Sequence, residues 1–256
     1  MDSVIVIERK VINNIPIIEM VEQDSLHKNV PLALFYHGVT NQKEQGLMAG
    51  YELAQKGFRT VIPDAYLHGE RKDEPYHGPK EMAFWHIEMK TVDELPEIVD
   101  YYVSRQLASK DAVTVTGLSM GAIATCMSFV KYPWIKAAGC LMGNPDPVSF
   151  TKWLLTSHWR DSIKEMAEVD EATIEIAMRP FLPLSLKEAP EKIAGRPFYI
   201  WHGKEDETVP FTQMEQFVAS LSGHEFAENV HVTFSDNQAH KVPYAIFVEM
   251  AAILES

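Results

Sequence analysis

Five residues near the middle of the chain carry the clearest chemical signal. Gly117-Leu118-Ser119-Met120-Gly121 follows a β-rich run, DAVTVTG at 111–117, and opens a small and apolar stretch, SMGAIATCMSFVKYP, that reads as a helix. A serine at such a strand-to-helix turn stands out from the chain at a helix N-terminus, where developing negative charge is favoured. Gly117 and Gly121 leave out the Cβ atoms that would obstruct the turn. A serine hydroxyl is a weak nucleophile and needs a base beside it, itself oriented by an acid. Ser119 is the expected nucleophile.

In this kind of site the chain order is serine, acid, histidine. The histidines after Ser119 are His158, His202, His224, His231 and His240. Only His240 lies in a polar loop, SDNQAHKVP, between the last strand-like run and the final helix, so it is the expected base. His202 closes a strand-like run, where packing is the expectation. The acid candidates are Asp206, Glu205, Asp236 and Asp146. Asp206, in HGKEDETVP just past RPFYIWHG, is the first choice, and it would orient His240 and stabilise its charged form. Asp146 is the alternative, and Asp236 reads as a turn residue. An oxyanion needs two backbone N–H donors. Met120, the residue after the nucleophile, supplies one. The loop after PLALFYHG supplies the other at Val39 or Thr40, with His37-Gly38 letting that loop turn.

This chemistry requires neither a metal nor an organic cofactor. His68, His77 and His86 match no zinc-site spacing and read as surface and loop histidines. No G-x-G-x-x-G follows a strand and no Walker lysine is present. The net charge of −13 opposes binding to phosphate backbones. Apolar runs are too short for a membrane span, and the N-terminus lacks the basic and apolar regions of a secretory signal. Cys126 and Cys140 sit in apolar surroundings as buried thiols. The expected location is cytoplasmic.

The elements that must position these residues alternate between strand and helix. Residues 3–8 and 11–20 read as an opening antiparallel hairpin. The strand-like runs at 31–38, 58–65, 111–117, 137–143, 196–203 and 228–236 alternate with helical patterns, which argues for a parallel sheet covered on both faces. The 256 residues are expected to form a single domain. The segment at about 145–195 exceeds a plain crossover and reads as an inserted helical cap. Its apolar residues Trp153, Leu154, Leu155 and Trp159 recur at helical spacing. Trp153 and Trp159 are candidate substrate-binding residues, with simple packing of the cap on the core as the other reading.

The segments YHGVTNQKE, GFRTVIPDAYLHGER, GLSMG, HGKEDETVP and the Ala239-His240 pair resemble, in order, those of the α/β-hydrolase superfamily. The likeness is to compact bacterial serine esterases near the dienelactone-hydrolase and prolyl-oligopeptidase-like branches, and it covers most of the chain outside the cap. It implies an α/β-hydrolase fold, with a mostly parallel twisted sheet, helices on both faces and a small helical cap. It also implies a serine triad acting on short-chain carboxylic esters through an acyl-enzyme, with a small-molecule ester as partner. Dienelactone hydrolases use a cysteine where this chain has Ser119, so their substrate does not carry over. A peptidase or amidase is the alternative. A non-catalytic binding protein on the same fold is a third reading, but such proteins lose a triad member and here all three positions are filled.

Overall fold

In the computed structural model, which describes residues 4–79, 82–157 and 171–255, the strand-like runs join one eight-stranded sheet. β1 (Ile5–Ile12) and β2 (Ile15–Glu22) form the opening antiparallel hairpin. Its turn is Asn13-Asn14, with φ of 48° and 68°. The sequence reading breaks the hairpin earlier, at Arg9-Lys10. The difference has a plain cause: a two-residue turn that follows strand twist needs left-handed backbone at both positions, and asparagine tolerates it.

β2 pairs antiparallel with β4 (Arg59–Pro63). From there β4, β3 (Leu32–Tyr36), β5 (Val113–Leu118), β6 (Ile135–Leu141), β7 (Phe198–Gly203) and β8 (Val230–Ser235) run parallel. The order across the sheet is β1-β2-β4-β3-β5-β6-β7-β8. The helices are α1 (Leu47–Gln55), α2 (Ala83–Ser104), α3 (Met120–Lys131), α4 (Pro147–Thr156), α5 (Glu171–Met178), α6 (Phe211–Ser220) and α7 (Tyr244–Leu254).

β3 is buried along its whole length because helices cover both faces of the sheet. Leu32, Leu34 and Tyr36 pack with Leu95, Val99 and Phe129 from α2 and α3. The alternate residues, Ala33 and Phe35, pack with Leu53 of α1 and Phe247 and Met250 of α7. The chain leaves β3 for β4 on one side and returns to place β5 on the other. Such a reversal opens a crevice at the carboxyl ends of the two strands, where ligands bind in sheets of this kind.

Between β6 and β7 lie α4, α5 and short 3-10 turns at Arg179–Leu184 and Pro190–Ile193. Phe150, Met178, Phe181 and Leu184 from this segment pack against Trp85, Ile123 and Met127 of α2 and α3. Cys126 and Cys140 are buried and free. Among the described residues no helix is long and apolar enough to cross a membrane.

Glu88 of α2 is wholly buried, and neither carboxyl oxygen has a hydrogen-bond partner among the described residues. Burial pushes this carboxyl well above the usual carboxylate range. The folded state therefore keeps a proton that the unfolded chain releases. Stability from this group is complete below the unfolded pKa and is lost as pH rises towards the folded one. Glu88→Gln removes that dependence. Relative to wild type, the variant should gain up to about 1.4 kcal/mol per pH unit above pH 5. Urea unfolding of both proteins at pH 5, 6.5 and 8 measures this, and a difference that does not change with pH contradicts it.

Candidate active site

Ser119 sits between β5 and α3 with φ 52° and ψ −118°, a conformation that L-residues avoid. Two close crossings enforce it. A Cβ on Gly117 would lie 2.4 Å from the Gly121 carbonyl oxygen, and one on Gly121 would lie 2.3 Å from the Tyr36 carbonyl oxygen. The Ser119 amide donates to the Leu141 carbonyl at 2.9 Å, which ties the turn to β6. The hydroxyl is thus presented over the carboxyl edge of the sheet by backbone alone.

The loops after β7 and β8 meet it there. The Lys204 amide donates to the Ser235 carbonyl at 3.0 Å and the Glu205 amide to the Gln238 carbonyl at 2.9 Å. A Cβ on Gly203 would lie 2.3 Å from the Gln238 carbonyl oxygen, so this approach also needs glycine. His240 Nε2 stands 2.8 Å from Ser119 Oγ, and His240 Nδ1 stands 2.7 Å from Asp206 Oδ2. Asp206 Oδ1 accepts the amides of Thr208 and Val209 at 2.9 and 3.0 Å. Burial would raise this carboxyl, but hydrogen bonds from His202 and His240 and the Val209 amide hold it well below the usual range. An ionised Asp206 accepts a hydrogen bond from the Nδ1–H of His240, which leaves the Nε2 lone pair facing the serine hydroxyl.

His202 does more than pack. It is wholly buried, and its Nε2 lies 3.1 Å from Asp206 Oδ2 and 2.9 Å from the Val209 carbonyl. It is a second nitrogen donor on the same carboxylate oxygen that His240 uses. The four-residue spacing to Asp206 was the available signal in the sequence. Asp146 is elsewhere: it caps α4, accepting from the Val148 amide at 3.1 Å, Ser185 Oγ at 3.2 Å and Lys187 Nζ at 3.3 Å. Glu205 is exposed, and Asp236 is an exposed residue paired with Lys204 at 2.7 Å.

The loop after β3 lies against Ser119. A Cβ on Gly38 would lie 3.5 Å from Ser119 Cβ and 3.0 Å from Leu118 Cδ1. Val39 follows with its side chain exposed, and Thr40 adopts φ 61°. Met120 opens α3, so its amide is among the first-turn donors that have no carbonyl a turn behind them.

His68 departs from the surface assignment. It is buried, because its loop folds back under the β3 loop, whereas His77 and His86 are exposed. Among the described residues no group of three or more histidine, cysteine or acidic side chains could hold a metal ion. Trp153 is half-buried and stacks on Phe150 with centroids 5.7 Å apart. With Asp206 and Phe211 it also lines a cavity of about 460 Å³. Leu154 packs with the same core cluster as Phe150. Trp159 and His158 lie outside the described residues.

Residues 83–249 match the prolyl oligopeptidase family, Peptidase_S9. The chain belongs to that family. The matched stretch holds Ser119, Asp206 and His240 but not the β3 loop. Over 243 residues the chain is 33% identical to the protein named "Putative esterase YitV" of Bacillus subtilis (strain 168), covering 93% of this chain and 94% of that one. It is 24% identical over 222 residues to Esterase YjfP of Escherichia coli (strain K12), covering 84% of each. The crystal structure of TT1662 from Thermus thermophilus superposes with a TM-score of 0.74 at 18% identity, over 98% of this chain and 97% of that one. The fold is that of the α/β-hydrolases.

Because Asp206 reaches His240 and Asp146 is engaged at the α4 cap, the two aspartates separate cleanly by mutation. Asp206→Asn offers the histidine an amide in place of a carboxylate and should lower turnover about 10³- to 10⁴-fold. Asp146→Asn should leave turnover within a few-fold and the melting temperature little changed, because asparagine caps a helix N-terminus about as well as aspartate. Steady-state rates and thermal melts of the two variants check this, and the reverse pattern would move the acid to the earlier loop.

Proposed function

We propose that the protein is a serine-dependent hydrolase of short-chain carboxylic esters. The observation that carries this reading is the Ser119–His240–Asp206 relay, with contacts of 2.8 and 2.7 Å. The esterase names of the two relatives support ester over amide as the bond cleaved.

In the proposed reaction His240 Nε2 takes the Ser119 proton as Oγ attacks the ester carbonyl. The Met120 and Val39 amides hold the oxyanion. Asp206 stabilises the imidazolium, which then gives its proton to the departing alcohol. A water deprotonated by His240 attacks the acyl-enzyme, and Ser119 is restored as the acid leaves. Ser119, His240 and Asp206 already stand in series at hydrogen-bonding distance, so little reorganisation of these three precedes the chemistry.

A fluorophosphonate probe should label the wild type and leave Ser119→Ala unlabelled. The same variant should hydrolyse p-nitrophenyl acetate at least about 10³-fold more slowly while keeping its fold. Wild-type turnover in Ser119→Ala would overturn the reading. Amidase activity is the reading the family match brings, and a p-nitroanilide cleaved as fast as the ester would establish it instead.

Trp153 is proposed to limit the acyl group from the cavity beside Asp206. Trp153→Ala should raise the rate on octanoate relative to acetate esters. A lower melting temperature with unchanged chain-length preference would assign this tryptophan to packing alone.

A further inference from the structure

The segment after β4 is fastened with unusual strength for a loop. Asp64 is wholly buried. Its Oδ1 accepts the Lys43 amide at 2.8 Å, and its Oδ2 accepts Lys43 Nζ at 2.6 Å and the Glu70 amide at 3.0 Å. A Cβ on Gly69 would lie 2.1 Å from Asp64 Oδ1, so the chain closes around this carboxylate only with glycine there. Arg71 forks onto Glu94 of α2 at 2.7 and 2.8 Å and donates to the Asp64 carbonyl at 3.2 Å. Residues 64–71 are thereby held to α2 and to the loop that follows β3.

Two histidines cross between these loops in opposite directions. His37 Nε2 accepts the Ala65 amide at 3.0 Å, and its Nδ1 lies 2.8 Å from the Gly38 carbonyl. His68 Nε2 accepts the Thr40 amide at 3.1 Å, and its Nδ1 lies 2.9 Å from the Tyr66 carbonyl. The rings are 5.3 Å apart. A ring nitrogen that faces an amide N–H must offer its lone pair, so each ring is neutral with its proton on Nδ1. Burial, the largest influence, pushes His37 down to about 4, which agrees with a neutral ring.

Two of these four bonds, at the Gly38 carbonyl and the Thr40 amide, bracket Val39. All described peptide bonds are trans. In a trans peptide the N–H points opposite to the C=O of the preceding residue. The His37 bond to the Gly38 carbonyl therefore sets the direction of the Val39 N–H, and the His68 bond fixes the next peptide plane through the Thr40 amide. We propose that His68 is a positioning residue for the oxyanion hole, forming with His37 a reciprocal clasp that aims the Val39 amide at the site above Ser119. This rests on the serine-hydrolase reading. It accounts for a loop with an exposed Val39 and a left-handed Thr40 lying beside Ser119.

The test uses three variants and one spectroscopic measurement on the whole protein. His68→Phe keeps the ring shape and loses the acceptor. His68→Gln places an amide oxygen where Nε2 was. With p-nitrophenyl acetate, His68→Phe should lose about tenfold or more in kcat, a part of what a whole oxyanion donor is worth, with KM changed less than about twofold. His68→Gln should recover most of that loss. Ring ¹⁵N shifts of the wild type should show His68 with a bare Nε2 and a protonated Nδ1 at pH 7. A wild-type kcat in His68→Phe overturns the proposal, as does an Nε2-protonated ring or a His68→Gln no better than His68→Phe. Ser119→Ala in the same assay separates the two readings. If it is dead while His68→Phe is fully active, only the clasp fails. If it is active, the serine reading fails and the oxyanion role of His68 falls with it, while the ¹⁵N shifts alone still decide whether the clasp exists.

Discussion

The site depends on how closely α3 approaches β3. With no side chain on Gly121, the first turn of α3 comes down onto the Tyr36 carbonyl, and Gly117 admits the Gly121 carbonyl in turn. A single added methyl at either glycine would push the helix off the strand by more than an ångström, and the turn that projects Ser119 would relax towards ordinary backbone. Everything else at the sheet edge is referenced to that contact. The β3 loop runs beside Ser119 because β3 and β5 are neighbours, with Tyr36 opposite Gly117 in register.

Asp206 is the electrostatic counterpart of that steric constraint. A carboxylate with so little exposure is tolerable only when its lone pairs are taken up. Here two backbone amides hold one oxygen and two histidines lie on the other. The arrangement fixes the tautomer of His240 without help from solvent. It also makes His202 a participant in the charge balance of the site rather than a filler at the end of β7.

How much of this the sequence revealed depended on how local each signal was. Ser119, Asp206 and His240 could be read because each follows a strand of a parallel sheet, and the carboxyl ends of such strands share one edge. The β-branched and apolar runs located those strands to within a few residues. The opening hairpin was misplaced because alternation continues through Arg9 and Lys10, and the deciding feature was the pair of left-handed asparagines. His68 could not be placed because its burial is decided far along the chain, by Lys43 and Glu94 closing on Asp64 and Arg71. Spacing around a histidine carries no trace of such partners. The same holds for Glu88, whose position in α2 becomes costly only once the helix is packed.

Ser119 and His240 are 121 residues apart, and the acid lies between them on a third loop. Contacts so distant in sequence form late, since each requires a large loop to close. The Ser119–His240 contact cannot form in a chain that lacks β8 and the turn after it. On the proposed serine-hydrolase reading, a growing polypeptide remains inert towards esters until His240 and the strand before it have left the ribosome. Recovery of turnover during refolding would time the docking of β8 and the turn after it, a step that helix content registers only in part, since most of the described helix precedes β8.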